Sequence, residues 1–412
     1  MGIQRSIIEQ TLLGNDVLVI CPTSAGKSLC FQFPTLFSKK CYIVITPLRA
    51  LMADQVRDLK EKFGVTAFSY CSDVDSAGKQ LVIDSLMAET LDTYLLYTTI
   101  ESLFTVPIQK VVTKLIAAEQ FGGFVYDEAH TVVDYRFREA YEQANLRAYF
   151  PGNYTISAFT ASADAAMQTA IRTKLGLRSN SKFFTQLLNR PNITPTFCKA
   201  EPAARFPTMV GWLEGLFGKS LPNGVIYCCT KKSCDALALR MEFVFGKHFV
   251  VYHGGMSTEE RAAIYNQFKS SNDLSVIASA AFGMGINKPN IRYVVSYDPP
   301  KNANELYQNM GRAGRDGAQA YYLMFSNMKL VNMMGSMFVG EPPQNLTTMR
   351  KICSKALEGR CVRRRVLAYL APSENAVCRE GFVACEACGG AKVVVAKVDS
   401  VAKPKKRIQK KK

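Results

Sequence analysis

"DVLVICPTSAGKS", residues 16–28, begins as a short apolar run, passes through Pro, Thr, Ser and Gly, and ends on Lys27 and Ser28 ahead of a helical pattern. A strand that feeds a glycine-containing loop and then a helix is the setting in which backbone N–H groups and a helix N-terminus cradle anionic oxygens. There Lys27 would reach the outer phosphates of a nucleotide and Ser28 would hold Mg²⁺. Position 21 is Cys where the generic pattern has Gly, so a turn that happens to contain Gly-Lys-Ser is the alternative left open by this stretch alone.

Working outward, further short apolar runs bounded by turn residues follow the first: "CYIVIT" (41–46), "TYLLYT" (93–98) and "GGFVYDE" (122–128). Longer helical patterns separate them, which predicts a parallel sheet with crossover helices. The rhythm resumes after "NRPNITP" (189–195) with "NGVIYCC", "FVVYHGG", "LSVIASA" and "IRYVVSYD". The expected fold is therefore α/β, two tandem parallel-sheet domains joined near Asn189 to Pro195, with a ligand cleft between them. Beyond about Asn345 a helical stretch, "TMRKICSKALEGRCVRRRVLAYL", leads into a cysteine-containing segment and a basic end, "KPKKRIQKKK". The expected boundaries are 1–188, 189–344, 345–392 and a tail of 393–412.

The chain has 412 residues, 48% of them apolar and 21% charged, which is the composition of a globular protein with real cores. Its 51 Lys and Arg against 34 Asp and Glu give a formal charge of +17, an excess that suggests an anionic partner such as nucleic acid. No apolar run long enough to span a membrane is present, and Met1 to Gln10 lacks the pattern of a secretion signal. An intracellular location is expected, nuclear if the source is eukaryotic, with "KPKKR" as a candidate import signal. Thirteen cysteines without a secretion signal should be reduced, the scattered ones acting as small apolar residues and the grouped ones as metal ligands.

"FGGFVYDEAH" (121–130) places Asp127 and Glu128 at the carboxyl end of an apolar run, where a nucleotide's metal would sit. Asp127 would hold Mg²⁺ and Glu128 would polarise the attacking water, although two acids at a helix start also suit the helix dipole. In "NELYQNMGRAGRDG" (304–317), Arg312 and Arg315 lie on a glycine-punctuated turn, and both are able to grip phosphate oxygens in bidentate fashion. Surface arginines are usually solvated, so their significance depends on the phosphate loop in the other domain.

Taken in order, "PTSAGKSLCFQFP", "TPLRALMADQV", "DEAH", "FTASAD", "NRPNI", "VIYC", "YHGGM", "AFGMGINKPN" and "YQNMGRAGRDG" resemble the motif set of RecQ-family DNA helicases, from about Gln4 to Cys388. The resemblance implies two RecA-like domains with ATP at their interface, and an enzyme that steps 3′ to 5′ along single-stranded DNA and unwinds partly duplex DNA. It assigns Gln4 to adenine, and Thr23, Ser24, Ala25, Gly26, Lys27 and Ser28 to the phosphates. Asp127 and Glu128 fall to metal and water, His130 to the link between sites, and Gln308, Arg312 and Arg315 to the sixth motif, with Arg315 as the arginine finger.

The same resemblance makes residues 131–141 an aromatic-rich loop that reports single-stranded DNA to the ATP site through Tyr135, Phe137 and Arg138. Tyr135 stands where the family has Trp, the loop is shorter, and the chain begins where relatives carry an aromatic and an Arg before the adenine-reading Gln. No winged-helix segment is expected within these 412 residues. A DNA-binding protein with weak or uncoupled ATP hydrolysis is the competing function, and an RNA helicase is disfavoured by "AFGMGINKP".

Cys361, Cys378, Cys385 and Cys388 supply four thiolates, the last two as a CxxC, and a small loop-rich segment with little core needs such a staple. A structural Zn²⁺ is expected there, and the resemblance agrees. Arg363, Arg364 and Arg365 beside it, with the basic tail, are expected to contact DNA phosphates.

Overall fold

The computed structural model describes residues 2–22, 25–47, 49–92, 94–134, 139–161, 163–246, 249–282, 288–337, 343–354, 359–370 and 384–389. Among the described residues, thirteen strands fall into two sheets, each parallel at every pairing. The first contains β1 Val17–Ile20, β2 Cys41–Ile45, β3 Ala67–Tyr70, β4 Leu95–Thr98, β5 Phe121–Asp127, β6 Thr155–Thr160 and β7 Lys182–Thr185, in the order β3-β4-β2-β5-β6-β1-β7. The second contains β8 Ile193–Cys198, β9 Gly224–Tyr227, β10 Phe249–Tyr252, β11 Ser275–Ala278, β12 Tyr293–Ser296 and β13 Ala320–Phe325, in the order β10-β11-β9-β12-β13-β8.

The inner strands β1, β2 and β4 are buried along their whole length, as apolar runs covered by helices on both faces must be. Two apolar clusters are confined to one sheet each, around Val19, Val44 and Phe159 in the first and around Ile226, Trp212 and Phe325 in the second. A third is continuous through both sheets and takes in Met349, Ile352 and Cys353 of helix Pro343–Cys353 and Val366, Leu367 and Leu370 of helix Val362–Leu370. The C-terminal helices therefore share a core with the sheets instead of hanging from them.

The segment read as a connection, 189–195, is shorter than its sequence suggests, because β8 begins at Ile193 and contains Pro195. Its Asn-Pro composition resembles a turn, but β8 is an edge strand, the place where a residue without an N–H is tolerated. The carboxyl ends of β1, β6 and β5 lie side by side, which gathers the loop after β1, Thr160 and the acidic pair at one edge of the first sheet.

Candidate active site

The chain leaves β1 at Ile20 and enters helix Lys27–Ser38 through Gly26, whose φ of 75° lies in the left-handed region that glycine adopts without strain. Cys21 N–H donates to the Thr160 carbonyl at 3.1 Å and Ala25 N–H to the Pro22 carbonyl at 3.2 Å, which curls the loop over the sheet edge. Lys27 Nζ donates to the Cys21 carbonyl at 3.3 Å, and half-buried Ser28 follows it in the first helical turn. From the first helix, Gly2–Leu12, Gln4 Nε2 donates to the Ala25 carbonyl at 3.0 Å. Gln4 thus touches the loop's own backbone. Thr23 and Ser24 lie outside the described residues.

At the end of β5 the backbone turns abruptly. Glu128 has a φ of 55°, a conformation costing about 1–3 kcal/mol for a residue with a Cβ. Thr131 donates to the Glu128 carbonyl through both its N–H (2.9 Å) and its hydroxyl (2.8 Å), and Ala129 N–H to the Phe159 carbonyl at 2.8 Å, which holds the turn in place. Burial and the adjacent Glu128 push Asp127 up to about 7, with Lys27 offsetting part of this. Glu128 also suffers from burial, but Lys27, His130, Arg312 and Arg315 together outweigh it and hold its carboxyl below the ordinary value. Two adjacent half-buried carboxyl groups of this kind suit a site that receives a cation.

Both of those arginines come from the domain of the other sheet. Helix Ala303–Met310 follows β12, and the turn after it carries Arg312 and Arg315, both with an Nε that has no hydrogen-bond partner among the described residues. Burial, with Arg312 and Arg190 close by, pulls Arg315 down to about 10. Glu128 Oε2 is likewise buried without a hydrogen-bond partner. Orphaned donors and acceptors on the two walls of one cleft match an anionic ligand with a divalent metal, such as a nucleoside triphosphate with Mg²⁺.

His130, 9% exposed, joins the walls. Gln308 Nε2 lies 3.3 Å from His130 Nε2, a side-chain contact from the second sheet's domain to the first's. His130 Nδ1 is 3.0 Å from Thr160 Oγ1 and 3.4 Å from Glu128 Oε2. A continuous path of polar contacts thus runs from Glu128 through His130 to Gln308 across the cleft.

Near the C-terminus, the sulfurs of Cys361, Cys385 and Cys388 all lie within 4.8 Å of one another, with Cys385 and Cys361 at 3.6 Å. A tetrahedral ion with Zn–S bonds of about 2.3 Å sets its sulfurs roughly 3.8 Å apart, so the three thiols fit zinc. The thiol hydrogen bond from Cys385 outweighs burial and draws Cys361 down to about 4, the thiolate form that a metal needs. Cys361 precedes helix Val362–Leu370, and Cys378 lies outside the described residues.

Comparison with known proteins agrees with this geometry. The DEAD/DEAH box helicase family matches residues 1–170, and the helicase conserved C-terminal domain matches residues 212–317. The chain is 31% identical over 403 residues to the ATP-dependent DNA helicase hus2/rqh1 of Schizosaccharomyces pombe, covering 93% of this chain and 29% of that protein. It is 35% identical over 327 residues to the ATP-dependent DNA helicase RecQ of Pasteurella multocida, covering 78% of this chain and 49% of the relative. The chain belongs to the RecQ family of superfamily 2 helicases. The structure of Mycobacterium smegmatis helicase Lhr bound to ssDNA and AMP-PNP shares the fold, with a TM-score of 0.63 at 17% identity over 89% of this chain and 53% of Lhr. This RecQ-family chain spans less than half the length of the two curated relatives named here.

Within the RecQ frame, the structure brings Lys27, Asp127, Glu128, His130, Gln308, Arg312 and Arg315 to one cleft. Tyr135, Phe137 and Arg138 lie outside the described residues. One expectation is overturned: Arg363 is 2% exposed and donates to backbone carbonyls, so it does not face DNA. Arg364 is exposed and Arg365 half-buried, as positions on adjoining faces of a helix docked along one side. Sequence reasoning also missed a second contact between the sheets. Asp54 of helix Arg49–Phe63 accepts from Tyr265 Oη at 2.9 Å and Lys269 Nζ at 3.3 Å, both on helix Thr258–Ser270. "MADQ" holds an acid on a helix, but nothing local says that its partners lie over 200 residues away.

Proposed function

We propose that this chain is an ATP-dependent DNA helicase that couples hydrolysis at the inter-sheet cleft to 3′ to 5′ movement on single-stranded DNA and to duplex unwinding. The observation that supports it best is the convergence on Glu128 of Lys27 and His130 from its own domain and of Arg312 and Arg315 from the other. In this reading Gln4, Thr23, Ser24, Ala25, Gly26, Lys27 and Ser28 hold ATP, and Ser28 and Asp127 hold Mg²⁺. The metal would supply charge neutralisation for the transferred phosphoryl group. Glu128 orients the attacking water and Arg315 stabilises the charge that develops. His130 then couples Glu128 to Gln308, so that closing of the cleft and competence of the base coincide.

Cys361, Cys378, Cys385 and Cys388 would hold a structural Zn²⁺ in this reading, and Tyr135, Phe137 and Arg138 would sense single-stranded DNA. Stacking of the two aromatics on bases would contribute on the order of 1–3 kcal/mol each. Arg364 and the basic tail supply salt-dependent phosphate contacts, and "KPKKR" would direct import if the source has a nucleus. Among the described residues no helix is long and apolar enough to cross a membrane. The motor assignment is tested with a duplex bearing a 3′ or a 5′ single-stranded tail, ATP and Mg²⁺, and Lys27→Ala as the control. Strand separation from the 3′ tail, lost in the variant, is expected. Unwinding that persists in Lys27→Ala, or that needs a 5′ tail, would overturn it.

A further inference from the structure

Arg363 begins a chain of contacts that ends at the turn carrying Arg312 and Arg315. Its guanidinium donates to the Pro191 carbonyl at 2.9 Å and to the carbonyls of Arg190 and Ile193. Arg190 and Pro191 lie in the connection between β7 and β8, and Ile193 opens β8. The side chains of the same segment donate onward. Arg190 reaches the Gly314 carbonyl at 2.8 Å and the Ala313 carbonyl at 3.2 Å, while Asn192 Nδ2 reaches the Gly314 and Ala318 carbonyls at 2.8 and 2.9 Å. In return, Tyr307 Oη donates to the Leu188 carbonyl at 2.7 Å.

Arg363 is removed from water and Arg190 is half-buried, which is costly, and a fixed, forked array of donors is what a guanidinium offers in exchange. Apolar residues of the same volume would fill the space at less cost, but they would not fix the heights of the carbonyls around Gly314. Those carbonyls set where the flanking Arg312 and Arg315 stand, and a phosphate-binding constellation must be held to within about 0.5 Å.

We propose that Arg363 is a positioning residue for the nucleotide site: through the 190–193 segment it holds the arginine turn in register, so that the helix beside the cysteine cluster helps to set the rate of hydrolysis. The proposal rests on the hydrolase reading above. It concerns this chain's own residues, so part of its test does not depend on activity.

The test uses the full chain with Arg363→Gln, Arg363→Lys and Arg190→Gln. Amide hydrogen exchange over residues 311–318 should quicken in both Gln variants while helix Gly2–Leu12 and β1 keep wild-type protection. With DNA present, kcat for ATP should fall roughly ten- to a hundredfold, as expected when a reacting group is misplaced by about 1 Å, while KM stays near wild type. Arg363→Lys keeps the charge and some donors and should recover part of the loss. The double variant should be no worse than the more impaired single one, because both cut one series of contacts. Unchanged exchange at 311–318 in Arg363→Gln would overturn the proposal, as would additive losses in the double variant. A general rise in exchange with kcat and KM failing together would mean that Arg363 only holds the fold. If the wild type hydrolyses no ATP, the hydrolase reading fails separately and the exchange data still decide whether the contacts are coupled.

Discussion

Replacing Gly314 by alanine strikes the arginine turn at its narrowest point. Its φ of 54° lies in the left-handed region, which costs an alanine about 1–2 kcal/mol. An added Cβ would lie 2.6 Å from Asn192 Nδ2, 2.7 Å from the Ala318 carbonyl oxygen and 3.0 Å from the Ala320 Cβ. Asn192 could swing aside by breaking its bonds to the Gly314 and Ala318 carbonyls, which are worth about 1 kcal/mol each. The Ala318 oxygen is backbone next to β13 and yields less easily. The sum is roughly 3–4 kcal/mol, which lowers the melting transition of a unit of this size by roughly 6–15 °C. Because Arg312 and Arg315 flank the displaced residue, DNA-stimulated kcat should fall roughly ten- to a hundredfold. Gly317→Ala is the internal control: its φ of 82° is also positive, but nothing lies within 4 Å of the added Cβ. It should cost about 1–2 kcal/mol and leave kcat nearly intact. Calorimetry and steady-state ATPase measurements decide the matter, and equal effects of the two substitutions would refute the argument from close contact.

Other expectations follow from the same structure. Asp54→Asn weakens the contact with Tyr265 and Lys269 by about 1 kcal/mol, so X-ray scattering without nucleotide should show a larger radius of gyration, and an unchanged profile would count against the contact in solution. Asp127 sits at about 7 in the folded protein, so the native state holds its proton more tightly than the unfolded one; this contribution favours folding at low pH and is lost as pH rises from about 4 to 7. Asp127→Asn, without metal or nucleotide, should therefore melt higher than wild type at pH 8, with the gap closing toward pH 4, and a gap that widens on acidification would reverse the assigned direction. Elemental analysis should find one zinc per chain, and Cys385→Ser should lower that content together with thermal stability; stable zinc-free wild type would contradict a structural metal.

Legibility from sequence divides along the range of the interactions. The loop after β1 and the acidic pair after β5 are local features, so strand, turn and helix signals placed Lys27, Asp127 and Glu128 at one sheet edge without any knowledge of the fold. Among the described cysteines only Cys229 and Cys388 are not buried, which agrees with reading the scattered ones as small apolar residues. β3, β6, β7, β8 and β13 escaped notice in the sequence, and for two of them the structure gives the physical reason. β7, "KFFT", is an exposed edge strand without a clean alternation, and β8 carries a proline that only an edge strand accepts. Arg363 stands in a run of three arginines that looks like a solvated cationic face. Its true environment depends on carbonyls some 170 residues away, for which no periodicity encodes the meeting. The pairing of His130 with Gln308 is equally non-local: the resemblance gave His130 a linking role and Gln308 a place in the sixth motif, but only the structure joins the two.

The central claim is that one cleft burns ATP under the control of DNA. Its most direct test is the rate of ATP hydrolysis with Mg²⁺, measured with and without single-stranded DNA, with Lys27→Ala as the blank. A low basal rate, strongly raised by DNA and abolished in Lys27→Ala, is the predicted result. DNA binding that leaves the rate unchanged would contradict the account and mark the chain as a nucleic-acid-binding protein on a helicase frame.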